Sequence, residues 1–193
     1  MEYQLTPEQF AGRMTRYAIL AAQPRPVIGV VDCRQFGDVK QFATPEEFRS
    51  RLWATVGQGI KGLLWRQQAA NKNDPLTSEF QQFLRQIARI REELSIADSV
   101  LWASVNDPKR ADAYMLLCGN KSAIVVVVMH YSTKGPTETQ DAVRVTVNCP
   151  TWVHPKAMSE LMPDGTNREI SVLPALTWDV PGACLTSLYR IEF

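Results

Sequence analysis

Few features of this sequence announce a chemistry, and each shortage narrows the field. There are only two histidines, His130 and His154, and four cysteines, Cys33, Cys118, Cys149 and Cys184, none of them in a CxxC pair. Zinc sites draw on clustered thiolates and imidazoles, so no metal centre is expected. A disulfide between two of the last three cysteines stays open for an exported protein, with buried free thiols as the plainer reading. Charge of one sign is also lacking: 21 Lys and Arg against 20 Asp and Glu leave a net charge of +1, mixed along the chain. Without a basic stripe or polybasic run, neither nucleic acid nor a membrane is an expected partner. No apolar run is long enough to span a bilayer. Met1 to Thr6 has neither the charged nor the apolar region of a signal peptide, so none is expected. The chain has no phosphate loop and no nucleophile–base motif, and no cofactor is expected.

What is present is an ordinary globular composition. With 45% hydrophobic and 21% charged residues, the chain can bury a sizeable core in one large domain or two small ones. Three segments open with helix-start signals. Thr6-Pro7-Glu8-Gln9 is a capping box ahead of Phe10, Met14 and Tyr17. Thr44-Pro45-Glu46-Glu47 repeats it ahead of the stripe Phe48, Leu52 and Val56. Ser78 with Gln81 is a weaker version before Phe80, Phe83, Leu84, Ile87, Ile90 and Leu94.

Between the helices lie two short apolar runs, Val27–Val31 and Ile60–Trp65, with the length and β-branched content of buried strands. Strands alternating with helices predict parallel pairing through right-handed crossovers. Gly57 and Gly59 are placed to end the second helix.

After about Ala97 the periodicity changes. Asp112–Cys118, Ile124–His130, Val143–Asn148, Glu169–Leu173 and Ala183–Phe193 read as strands, separated by Gly119-Asn120, Lys134-Gly135-Pro136, Pro163-Asp164-Gly165 and Pro181-Gly182. Val143, Val145 and Val147 alternate with Arg144 and Thr146, the mark of antiparallel strands with one wet face. Ile124–Val128 is apolar on both faces and should be central. This half predicts a β-sandwich of roughly seven or eight strands. The expected fold class is therefore α/β plus all-β, with residues 1–97 as a βα segment and 98–193 as a sandwich domain.

The stretches Pro26-Val-Ile-Gly-Val-Val-Asp-Cys-Arg-Gln-Phe-Gly37, Thr44-Pro-Glu-Glu-Phe-Arg49 and Gly57-Gln-Gly-Ile-Lys-Gly-Leu-Leu-Trp65 resemble the last units of TIM-barrel glycoside hydrolases. Ala113-Tyr114, the valine run, Pro163-Asp-Gly165 and Tyr189-Arg-Ile191 resemble the C-terminal sandwich of such enzymes. The resemblance implies a partial barrel segment followed by that sandwich, in the C-terminal part of a carbohydrate-active protein. Several barrel families end the seventh strand on a glutamate; here the stretch reads Val31-Asp32-Cys33. The alternative function, from a different class, is a non-catalytic sandwich module for carbohydrate binding or protein interaction.

Asp32, directly after a strand, is the candidate catalytic or sugar-contacting carboxylate, against a loop aspartate satisfied by backbone N–H groups or Arg34. Trp65 and Arg66 end the other strand, where an indole stacks on sugar C–H surfaces and a guanidinium forks onto hydroxyls or a carboxylate. Gln35, with Asp38, Asn71, Asn73 and Asp74, lies in the loops that follow. Trp102, Trp152 and Trp178 form either a carbohydrate platform or, as expected here, core and rim packing. His130 and His154 have no partner at catalytic spacing. Glycoside hydrolysis needs two carboxyls, so the chain alone is expected to lack turnover. A barrel interior left unfilled beside Val30 and Leu63 predicts a homo-oligomer, or association with an N-terminal barrel part.

Overall fold

The computed structural model describes residues 28–32, 44–66, 75–119, 121–130, 141–171, 176–182 and 186–193. The helix expected from Thr6 lies outside them. The first half runs β1 (Ile28–Asp32), α1 (Pro45–Gly57), β2 (Gly62–Arg66), α2 (Pro75–Arg89) and a short α3 (Arg91–Ser95). As expected from the alternation of elements, β1 and β2 pair in parallel, in register from Ile28 with Gly62 to Asp32 with Arg66.

Local chemistry sets the helix ends. Thr44 is extended (φ −140°, ψ 160°) and its hydroxyl accepts from the Glu47 N–H at 3.1 Å. Pro45 then occupies the first turn, where a missing N–H costs nothing. At the other end Gly59 adopts φ 92° and its N–H returns to the Val56 carbonyl at 2.8 Å, a left-handed cap. α2 opens at Pro75, a turn earlier than Ser78 suggests, because proline is itself a good first-turn residue. Phe48, Leu52 and Val56 are buried as a stripe, and so are Phe83 and Ile90. Leu84 is exposed, off the stripe.

The second half comprises β3 (Ala97–Val100), β4 (Ala103–Val105), β5 (Ala111–Cys118), β6 (Ser122–Met129), β7 (Val143–Val147), β8 (Ala157–Leu161), β9 (Asn167–Ile170), β10 (Thr177–Val180) and β11 (Thr186–Glu192). They form a six-stranded sheet, β3-β5-β6-β11-β8-β9, and a three-stranded sheet, β10-β7-β4. Every pairing within them is antiparallel. The two sheets share one apolar core, an arrangement compatible with a β-sandwich. The described strands close no barrel.

The larger sheet is buried on both sides. Strand alternation sends Ile124, Val126 and Val128 of β6, with Leu116 and Leu188, toward Phe48, Leu52, Trp53 and Phe83 of the helices. The intervening Ala123, Val125, Val127 and Met129 meet Val143, Val145 and Val180 of the smaller sheet. The molecule thus has three layers: helices, large sheet, small sheet. Its double burial explains why β6 reads as an unbroken apolar run and why it lies centrally, between β5 and β11. The switch in periodicity at Ala97 is therefore no break in packing, since the helix-side core takes residues from both halves. An ion pair of Arg190 on β11 with Glu93 on α3, closest at 2.7 Å and with one hydrogen bond of 2.9 Å, crosses the same seam.

Cys118 and Cys149 are free thiols, and Cys118 is buried in the helix-side core. Burial above all, with the nearby Glu93 carboxylate, pushes the Cys118 thiol up to about 11 from 9.0. The thiolate is the reactive form, so at pH 8 Cys118 should alkylate about a hundredfold more slowly than an ordinary cysteine. Iodoacetamide labelling followed by peptide mass spectrometry checks this. Labelling of native Cys118 at the rate seen in urea would contradict it.

Candidate functional site

The end of α1 and the start of β2 are fastened to the sandwich. Gly57 lies so close to Tyr114 on β5 that a Cβ there would stand 2.7 Å from the Tyr114 Cβ. The Ser99 hydroxyl donates to the Gly57 carbonyl at 3.4 Å, and the Lys61 ammonium donates to the carbonyls of Leu94 (3.4 Å) and Ala97. The Gln58 side chain hydrogen-bonds the Tyr114 hydroxyl, which burial, and then Asp112, hold protonated well above the usual tyrosine range. β2 runs from this attachment to Arg66, about 13 Å away at strand rise.

The parallel register brings three of the four sequence candidates to one place. Asp32 and Arg66 are direct partners at the C-terminal ends of β1 and β2, and Trp65 is the partner of Val31 one step earlier. Gln35 lies outside the described residues, as do Asp38, Asn71, Asn73 and Asp74. Alternation puts positions 28, 30 and 32 on the same face as 62, 64 and 66. That face is open: Ile28 is 64% exposed and Leu64 53% exposed. Leu63, on the opposite face, packs against the helix-side core. The expectation that Leu63 borders the unfilled side is thus corrected to Leu64, because the register puts Leu63 on the helices' side. Asp32 and Arg66 sit at positions on the open face, and Trp65 on the other. A carboxylate position beside a guanidinium position can hold sugar hydroxyls by charge-assisted hydrogen bonds. Asp32 is the one carboxyl that these two strands contribute.

The tryptophans separate by environment. Trp178 packs edge-on against Tyr189 at 5.0 Å, and Trp102 leans on the inter-sheet core. Trp152, between β7 and β8, is 74% exposed. His154 is exposed in the same loop.

His130 has partners that sequence spacing did not reveal. Its Nε2 lies 2.8 Å from an Asp112 carboxylate oxygen and its Nδ1 3.0 Å from the Lys109 carbonyl. A carbonyl only accepts, so Nδ1 carries hydrogen, and the imidazolium satisfies both contacts. Tyr114 Oη reaches the same Asp112 oxygen at 3.4 Å. The register pairs Cys118 with Ser122 and Asp112 with Val128, leaving His130 one diagonal away, whereas counting from a two-residue Gly119-Asn120 turn would have paired Asp112 with Val127. The cluster ties the end of α1 to β5 and β6.

Among the described residues no three His, Cys, Asp or Glu side chains are grouped to hold a metal ion. No described helix is long and apolar enough to cross a membrane. No known protein family matches this chain, and no curated protein matches it.

Proposed function

We propose that this chain is the C-terminal portion of a glycoside-hydrolase-like, carbohydrate-active protein. In this reading β1, α1, β2 and α2 are closing units of a TIM barrel and strands β3 to β11 are its appended domain. The observation that carries it is the parallel, in-register β1–β2 pair, with Leu63 against the helix-side core on one face and Ile28 and Leu64 exposed on the other. Barrel enzymes cover the outside of the strands with helices and keep their chemistry at the C-terminal strand ends. Asp32 and Arg66 hold those positions here. Asp32 serves as a sugar-contacting or catalytic carboxyl, and Arg66 forks onto hydroxyls or a substrate carboxylate. Trp65 forms part of the rim, and Gln35 belongs to the loop after β1.

Glycosidic bond cleavage requires a second carboxyl across the bond from the first, and β1 and β2 supply only Asp32. The chain alone should therefore show no turnover of a panel of aryl glycosides above the buffer blank. Turnover that disappears in Asp32→Asn would overturn that expectation and assign Asp32 outright.

The exposure of Trp152 favours a second reading, a non-catalytic carbohydrate-binding module, since an exposed indole offers its face to sugar C–H surfaces. Oligosaccharide binding lost in Trp152→Ala and untouched in Asp32→Asn would select this reading over the first.

A further inference from the structure

A cavity of about 340 Å³ opens at the seam between the helical layer and the edge of the large sheet. The last turn of α2 supplies Gln86 and Arg89, the residue after it is Ile90, the β8 end supplies Leu161, and β11 supplies Leu188 and Arg190. Ile90 and Leu188, both buried, give it an apolar floor. Its charged lining residues are the two arginines, with no carboxylate among them.

The polar groups around the cavity are fixed but not fully used. Arg190 is held by Glu93 through one hydrogen bond from a terminal nitrogen and an ion-pair contact at Nε, and Nε itself, buried, has no hydrogen-bond partner among the described residues. Arg89 makes a single long hydrogen bond, 3.3 Å to the Asp164 carbonyl in the β8–β9 turn. One oxygen of the Asp164 carboxylate accepts from the Thr166 N–H and hydroxyl, both at 2.8 Å, with the Arg89 charge nearby. The Gln86 side chain is buried and lines the cavity, and its amide oxygen, closed to solvent, has no hydrogen-bond partner among the described residues. Buried amides are nearly always paired, so an orphan oxygen in the cavity wall marks a side chain that a small rotation toward a ligand group would satisfy.

We propose that this cavity binds a small sugar acid, its carboxylate on Arg89 and Arg190, a hydroxyl on the Gln86 amide and its ring against Ile90 and Leu188. The planar guanidiniums suit a carboxylate, and the volume lies at the small end of ligand sites. A bare inorganic anion would leave both the amide and the apolar floor unused. The inference rests on residues other than Asp32 and Arg66 and stands apart from the barrel reading.

The test is titration of the full chain, followed by calorimetry and NMR, with glucuronate and galacturonate, with glucose and galactose, and with inorganic phosphate. A uronate should bind saturably and at least about tenfold more tightly than its neutral hexose and than phosphate. Arg89→Gln, at an exposed position, and Gln86→Leu should each weaken uronate binding about tenfold. Equal binding of neutral hexoses, equal binding of phosphate, or no saturation by uronate up to about 50 mM would each overturn the proposal in the unmodified chain. Uronate binding indifferent to Arg89→Gln would overturn it as well.

Discussion

Replacing Trp53 by alanine should cost about 3–5 kcal/mol of unfolding free energy, and helices and sheets should lose it together. Trp53 is buried in the helix-side core, its ring edge-on to Phe83 at 5.0 Å and 71°. The same core contains Ile124, Val126 and Leu188 from the large sheet. Truncation therefore opens a void bordered by three elements, none of which can collapse without pulling on the others. Since the core is shared, the loss should appear as one transition shifted to lower urea, with far-UV circular dichroism and near-UV signals coincident. Two separated transitions, with the sheet midpoint unchanged, would show that the helices are an independent unit.

Gly57→Ala should destabilise the protein by about 1–3 kcal/mol, although helix propensity alone favours the alanine by up to about 1 kcal/mol. The deciding fact is location. The added Cβ would sit 2.7 Å from the Tyr114 Cβ and 2.8 Å from its Cγ. Those atoms lie next to the β5 backbone and cannot swing away as the end of a long side chain can. A double-mutant cycle separates the two effects: in a Tyr114→Ala background, which removes the Cγ contact, Gly57→Ala should cost less. Equal cost in both backgrounds would mean that the close approach is not what selects glycine at this position.

The sequence made the strongly patterned elements legible. Thr44-Pro45-Glu46-Glu47 marked the start of α1, and the Phe48, Leu52, Val56 stripe marked its buried face. The unbroken run of β6 identified a strand buried on both sides. Its cause, helices covering the far face of the sandwich, was not legible, because an apolar run carries no information about what covers it. β3, β4, β8 and β10 were missed as strands because each spans only three to five residues and none carries three alternating apolar residues as the five-residue β7 does. At the candidate site, strand ends placed Asp32, Trp65 and Arg66. Which of Leu63 and Leu64 faces the open side depended on the register of two strands thirty-four residues apart, and register is a tertiary property. The His130–Asp112 contact and the Gln86 cavity likewise arise between elements, beyond the reach of spacing within one.

The central claim is the proposal that the β1–β2 pair is part of a larger barrel, whose inner face carries the side chains left exposed among the described residues. Ile28 and Leu64 lie on that face at 64% and 53% exposure, and burying an aliphatic side chain of this kind is worth about 1.5–3 kcal/mol. Light scattering during size exclusion at low micromolar concentration tests the claim most directly. The account predicts a mass at a multiple of 21.7 kDa, reduced toward the monomer in Leu64→Lys. A well-folded, monodisperse species at 21.7 kDa would contradict it.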